Sequence, residues 1–265
     1  MILDNFRLTG QVAIVTGASQ GIGRGIAIGL AEAGADVVVA ARTAADLEPV
    51  VAAIEATGRR ALAVRADVME EADRARLFEA TIEAFGRLDV LVNNAGGTGP
   101  RPAIATSERY FDTAMKFNAT VPFLMSTAAA QLMVRTAGSG AILNISSRSA
   151  DMTMSGMAAY GAGKAALNRL TQNLAVEFAP AVRINAISVG GVATKGLEVV
   201  LTDDALRAQF EANTPMRRAG QPEDIACAAL YLTSAASSWV TGKIFQVDGG
   251  TERPSIDVPV PPLGG

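Results

Sequence analysis

Tyr160-Gly-Ala-Gly-Lys164 sets a phenol and an ammonium four residues apart. On a helix that spacing puts both side chains on one face, one turn apart. A phenol near pKa 10 is a poor proton donor or acceptor at neutral pH, and an adjacent ammonium favours the phenolate. The pair would then be the tuned acid/base that an alcohol–ketone interconversion requires. The same five residues also describe a half-exposed helix face, so the elements around them must decide. Thr16-Gly-Ala-Ser-Gln-Gly-Ile-Gly23 follows the apolar run Val12–Val15 and leads into a helical pattern of Ile22, Ile26, Ala27, Leu30 and Ala31. This reads as strand, glycine turn, helix. Gly17, Gly21 and Gly23 let the backbone turn tightly and approach a pyrophosphate, whose charge sits at the helix N-terminus. The spacing is G-x-x-x-G-x-G rather than G-x-G-x-x-G, and glycines alone would also suit an ordinary loop.

Composition narrows the chemistry. The 265 residues suffice for one large α/β domain. Hydrophobic residues make up 49% and aromatics only 5%, so the core must be built from Ala, Val, Ile and Leu, which suits helices packed closely on a parallel sheet. A net charge of −3 without an extended basic run argues against nucleic acid. No run of 18 apolar residues and no signal-peptide pattern occurs, which points to a cytoplasmic protein without a membrane partner. The absence of histidine removes Ser-His-Asp and Cys-His schemes and histidine metal sites, and no metal is expected. The single cysteine, Cys227, lies in an apolar helical pattern and is expected in the core.

Short apolar runs alternate with helical patterns. Strands are expected at 12–16, 36–40, 61–65, 90–93, 141–146, 183–188 and 243–247. Helices are expected at 21–33, 44–57, 70–85, 108–135, 160–178 and 222–233. The alternation predicts a single-domain, Rossmann-type, doubly wound parallel sheet of seven strands with helices on both faces, over residues 5–251. Residues 252–265, with Pro254, Pro259, Pro261 and Pro262, form a tail that is either disordered or an arm across a neighbouring subunit. Ligands bind beyond the carboxyl ends of such strands. Gly17–Gly23, Arg42, Asp67, Asn93–Gly96, Ser146-Ser147 and Val189–Gly191 all fall there.

With these residues assembled, residues 7–251 resemble the short-chain dehydrogenase/reductase family. The glycine turn Thr16–Gly23, Asn93-Asn-Ala-Gly96 and the 13-residue interval from Ser147 to Tyr160 carry the resemblance. It implies an NAD(P)-dependent oxidoreductase acting on CH–OH groups. Tyr160 would be the acid/base. Lys164 would lower its pKa and bond the nicotinamide ribose, and Ser147 would bond the substrate oxygen. Asn118 would hold a water linking Lys164 to solvent. The resemblance places the cofactor on Gly17, Ser19, Gln20, Gly21, Ile22 and Gly23, with Asp67 and Val68 at the adenine. Asn94, Ala95, Gly96, Gly190, Val192 and Thr194 complete its site, Thr194 at the carboxamide. Ser146, the competing serine, is expected to face inward. Where the family usually has Pro-Gly this chain has Val189-Gly190, which frees φ and restores a backbone N–H. Residues 190–215 are expected to form a substrate lid.

NAD enzymes of this fold place an acid after the second strand, whereas an arginine there accommodates a 2′-phosphate. Here Ala41 stands at the acidic position, followed by Arg42 and Thr43, which favours NADP(H). Gln20, where many NADP members carry a basic residue, keeps NAD(H) as the alternative. Asn93–Pro102 and Thr214–Ile225 are similar to bacterial 7α-hydroxysteroid dehydrogenases, and the 3-oxoacyl-carrier-protein reductases are another close subgroup. Met152, Met154 and Met157 would form an adaptable wall for a steroid, an acyl chain or another bulky ketone. A cofactor-binding sensor without turnover is the reading of a different class. The resemblance further implies a homotetramer, with small residues in 119–130 and 158–174 for close helix packing.

Overall fold

A computed structural model describes residues 1–256 and 259–260. The apolar runs become β1 (Val12–Thr16), β2 (Asp36–Ala41), β3 (Ala61–Arg65), β4 (Val90–Asn93), β5 (Gly140–Ser147), β6 (Val182–Val189) and β7 (Ile244–Val247). They form one sheet in the order β3-β2-β1-β4-β5-β6-β7, with each neighbouring pair parallel. Alternate residues of a strand enter opposite cores. Ala13 and Val15 join Val37, Val39, Ile26 and Leu30 on one side, while Val12 and Ile14 join Val38, Leu91, Met125 and Ala129 on the other. Burial of both faces is why these strands are apolar throughout.

The connections carry α1 (Gly21–Glu32), α2 (Glu48–Glu55), α3 (Glu71–Phe85), α4 (Glu108–Met115), α5 (Val121–Ala137), α6 (Ala158–Phe178), α7 (Glu198–Thr202), α8 (Asp204–Asn213) and α9 (Pro222–Thr233). This is a single-domain doubly wound sheet, as expected. The chain starts outward from β1 to β3 and resumes at β4 on the other side of β1, leaving a crevice at the carboxyl ends of β1 and β4. Small residues let helices close in: a Cβ added to Gly25 of α1 would lie 2.8 Å from the Pro222 side chain of α9.

Four expectations change. The helix predicted over 108–135 is interrupted by a π-helical turn at Lys116–Thr120. Pro122 has no N–H to donate to the Asn118 carbonyl, so regular α-helix could not continue there. The helix predicted over 44–57 shortens to α2, preceded by a 3-10 turn at Ala45–Leu47, with Pro49 in the first turn of α2. Cys227 is exposed rather than core, because Ile225, Ala229 and Leu232 define the inward stripe of α9 and Cys227 falls opposite it. Finally, the start of the tail lies on its own chain. Ser255 is buried, its hydroxyl 3.1 Å from Thr214 Oγ1, and its carbonyl accepts from Asn213 Nδ2 at 3.0 Å. Residues 257, 258 and 261–265 of the expected tail lie outside the described residues. Other element ends shift by one or two residues.

The helical stretch Glu108–Ala137, 30 residues with an 18-residue window of mean hydropathy 1.2, is long and apolar enough to cross a membrane by length and composition, and 56% of that window is buried within the fold. In the segment expected as a lid, Asp203 caps α8 by accepting from the Ala205 and Leu206 N–H groups, both at 2.9 Å. Phe210 is buried so tightly against Gly191 that a Cβ there would collide with its ring.

Candidate active site

The glycine turn between β1 and α1 is pinned by neighbouring chain. Gly17 (φ +63°) and Gly21 (φ +55°) occupy the left-handed region, which disfavours side chains. A Cβ on Gly23 would collide with the Gly17 carbonyl oxygen and the Asn94 side-chain amide. Asn94 Nδ2 donates to the carbonyls of Thr16 (2.9 Å) and Gly17 (3.0 Å). Thr16 Oγ1 in turn accepts from the Asn94 and Ala95 N–H groups at 3.1 and 3.0 Å. The end of β4 thereby holds the turn rigid. Behind it, Asn93 Nδ2 donates to Asn144 Oδ1 (2.8 Å) and Asn144 Nδ2 to Thr171 Oγ1 (2.8 Å), a satisfied buried network linking β4, β5 and α6.

Two cavities share the rim residues Gly17, Gln20, Asn94 and Gly96. One, of about 460 Å³, is bordered by Ser19, Arg42, Thr43, Asp67, Val68 and Ala95. The other, of about 360 Å³, is bordered by Gly21, Ile22, Gly23, Gly190 and Thr194, and by Ser147, Tyr160 and Lys164. Val192 borders neither. It is buried, bridges to Gly220 and faces a separate cavity of about 130 Å³. Asn118 also borders neither and lies behind Gly96 and Gly97. Its Oδ1 accepts from the Gly97 N–H (2.9 Å), and its Nδ2 donates to Thr98 Oγ1 (3.0 Å) and the Ala114 carbonyl (2.9 Å). Both amide protons are committed to protein, so Asn118 would hold a water through an acceptor, its backbone carbonyl or the second lone pair of Oδ1. The loop methionines Met152, Met154 and Met157 are half-buried and border neither cavity.

Helix α6 carries Tyr160 in its first turn and Lys164 one turn on. Lys164 Nζ is buried, lies 5.8 Å from the Tyr160 ring centroid and donates to the Ile145 carbonyl at 2.7 Å. Burial pushes its pKa down to about 8. Burial also pushes the Tyr160 phenol above its ordinary value, and the Ser147 hydroxyl draws it part of the way back. Loss of hydration therefore outweighs the lowering expected from the ammonium.

Sequence reasoning missed several neighbours. Asp46 and Met69 border the larger cavity, and Lys195 the smaller. Asp46 stands four residues beyond Arg42, a helical spacing that could have flagged it. Ser146 is buried as expected, but its hydroxyl has no hydrogen-bond partner among the described residues and it borders the same cavity as Ser147. Arg148, next to Ser147, is buried with its Nε 2.8 Å from Asp248 and its Nη2 donating to the Thr251 carbonyl at 3.2 Å.

Residues 17–252 match the family model described as Enoyl-(Acyl carrier protein) reductase. The chain belongs to the short-chain dehydrogenase/reductase family. An uncharacterized oxidoreductase of Mycobacterium tuberculosis is 46% identical over 263 residues, 99% of this chain and 100% of the relative. The 7alpha-hydroxysteroid dehydrogenase of Escherichia coli is 41% identical over 248 residues, 93% of this chain and 96% of the relative. The solved structure of a 7 alpha-hydroxysteroid dehydrogenase complexed with NADH and 7-oxo glycochenodeoxycholic acid superposes with a TM-score of 0.90 at 40% identity, covering 94% of this chain and 97% of that one. As a short-chain dehydrogenase/reductase the chain is an oxidoreductase that interconverts alcohols and carbonyl compounds, with a small-molecule substrate and NAD(H) or NADP(H) as cofactor.

Proposed function

We propose that this enzyme interconverts a bulky apolar ketone and its secondary alcohol, prefers NADP(H), and uses Tyr160 as acid/base. The observation that carries the proposal is the convergence of Ser147 from β5 with Tyr160 and Lys164 from α6 on a cavity floored by the glycine turn. The residues present fit a dinucleotide: a glycine cradle that a Cβ on Gly23 would obstruct, the N-terminus of α1 beside it, and Arg42 with Thr43 at the far end. Asp67 and Val68 would flank the adenine, and Thr194 would bond the carboxamide. When bound, the nicotinamide supplies or accepts the hydride.

Tyr160 donates its proton to the carbonyl oxygen in reduction, and its phenolate takes the alcohol proton in oxidation. Ser147 donates a hydrogen bond to that oxygen and holds it beside the phenol. Lys164 puts a positive charge opposite the phenolate that forms. Asn118 fixes Gly97 and offers its carbonyl to the water that links Lys164 to solvent. Residues 190–215 act as the lid, with Phe210 as its buried anchor.

Arg42, with no acid at Ala41, supports NADP(H). Asp46 on the same cavity and the NADH held by the similar steroid dehydrogenase favour NAD(H) as the second reading. The similarity to a 7alpha-hydroxysteroid dehydrogenase supports a bulky apolar substrate, a steroid or an acyl chain, with a 3-oxoacyl thioester as the alternative, while Met152, Met154 and Met157, expected to wall the substrate, border neither cavity. A non-catalytic dinucleotide sensor is the reading of another class. A homotetramer and a cytoplasmic location belong to the same proposal. The edge of β7, unpaired among the described residues, and the 99% exposed Trp239 support association.

The test is NADPH and NADH oxidation by the purified protein against keto-steroids, short 3-oxoacyl thioesters and simple aryl or cyclic ketones. Turnover with a bulky ketone that Tyr160→Phe abolishes, while cofactor still binds, is expected. Arg42→Ala should weaken NADPH at least tenfold more than NADH. Unchanged turnover in Tyr160→Phe would remove Tyr160 from the mechanism. Tight cofactor binding without turnover of any ketone would favour the sensor.

A further inference from the structure

The turn that leaves β5 is organised around the Ser147 hydroxyl. Ser147 Oγ accepts from the Ser149 N–H at 3.2 Å and from the Ser149 hydroxyl at 2.9 Å. A serine hydroxyl has two acceptor positions and one proton. With both acceptor positions filled from its own turn, Ser147 can only donate outward, toward the cavity it shares with Tyr160.

The turn itself has little freedom. Ser149 is 8% exposed, and its carbonyl lies so close to α6 that a Cβ on Gly161 would come within 2.7 Å of it. Arg148, between the two serines, is 5% exposed. It is held by Asp248 at the end of β7 and by the Thr251 carbonyl, with Asp151 and Glu252 each at 3.6 Å. Two other segments, α6 at Gly161 and the stretch Asp248–Glu252, thus hold the turn that places the Ser149 hydroxyl behind Ser147.

We propose that Ser149 is a positioning residue: its hydroxyl commits Ser147 to donating into the active site and strengthens it as a donor. The proposal rests on the reading that Ser147 and Tyr160 act on one substrate oxygen. A hydroxyl that accepts a hydrogen bond becomes a better donor, because chains of such bonds polarise one another. Without the Ser149 hydroxyl, Ser147 regains a vacant acceptor position and rotational freedom, and it stabilises phenolate and developing alkoxide less well. Ser149 borders neither cavity, so cofactor binding should not depend on it.

The test follows the Tyr160 phenol by ring-carbon NMR in the full chain, which has three tyrosines, Tyr160 being assigned through Tyr160→Phe. Ser149→Ala is expected to raise the Tyr160 titration midpoint by about 0.5 pH unit, and Ser149→Thr, which keeps the hydroxyl, to leave it at the wild-type value. NADPH affinity by calorimetry should stay within about twofold in both. With the most active ketone of the panel above, kcat should fall about fivefold in Ser149→Ala and recover in Ser149→Thr. Ser149→Cys keeps the size but donates weakly, and it decides the matter should the alanine variant not fold. A midpoint shift in Ser147→Ala with none in Ser149→Ala or Ser149→Cys would overturn the proposal and leave the Ser147–Tyr160 reading standing. No shift in Ser147→Ala would overturn both.

Discussion

Lys164→Met, followed as a function of pH, measures what the active-site ammonium costs the fold. Lys164 is 4% exposed, and burial lowers its pKa from 10.5 to about 8. Below pH 8 the folded and unfolded chains both carry the proton, so the full cost of dehydrating the ammonium weighs on the native state. Converting the shift gives roughly 3 kcal/mol. Between pH 8 and 10.5 the folded chain releases its proton while the unfolded chain keeps it, so stability rises with pH across this window. Methionine has nearly the same length and no charge, but leaves the Ile145 carbonyl, which Lys164 meets at 2.7 Å, without its donor. That loss, about 1–3 kcal/mol, does not vary with pH. The diagnostic is therefore the slope. The stability of the wild type relative to Lys164→Met should increase by roughly 3 kcal/mol from pH 8 to pH 10.5. Tyr160, raised by burial, keeps its proton in the folded state over most of this window with or without Lys164, and its titration in the unfolded chain is common to both proteins. Urea unfolding followed by far-ultraviolet circular dichroism at one protein concentration would read it. A difference constant to within about 0.5 kcal/mol would mean that the ammonium is hydrated in the native state, and the reasoning from burial would fail. On the proposed mechanism, the same titration predicts that turnover declines above about pH 8, as Lys164 would lose the charge that opposes the phenolate.

The remaining predictions concern the frame around the site. Arg148→Met leaves the buried Asp248 carboxylate unpaired and should cost roughly 3 kcal/mol in urea unfolding, while Arg148→Met with Asp248→Asn should recover at least half of it. Additive losses from the two substitutions would show that the 2.8 Å pair carries no coupling. Gly23→Ala should weaken NADPH and NADH alike by at least about tenfold in calorimetry, because the methyl would displace Asn94 or the Gly17 carbonyl from the cradle. Unchanged affinity would mean that the cofactor does not use this turn. Sedimentation velocity at micromolar concentration should show a tetramer for the wild type and smaller species for Trp239→Glu, and a wild-type monomer would refute association through the β7 edge.

Much of this molecule is legible from its residues in order. Val12–Thr16 and Val90–Asn93 are strands with the predicted ends, because apolar runs buried on both faces leave little choice of element. The glycine turn and the four-residue interval from Tyr160 to Lys164 specify local geometry, and local geometry depends on near neighbours. Other features belong to the assembled fold. The π-turn that sets Asn118 behind Gly97 depends on contacts with a loop 20 residues earlier as well as on Pro122. Cys227 looked like core because its neighbours are apolar, but the packing of α9 against α1 decided which stripe turned inward. Arg148 held by Asp248 and Thr251, which frames the turn carrying Ser147 and Ser149, depends on segments a hundred residues apart in sequence. Likewise Tyr160 is raised, against the expectation drawn from Lys164 alone. Periodicity and spacing determine which side chains share a face. Burial, and with it protonation and hydrogen-bond direction, is a sum over every segment packed around a group, and only the tertiary structure supplies that sum.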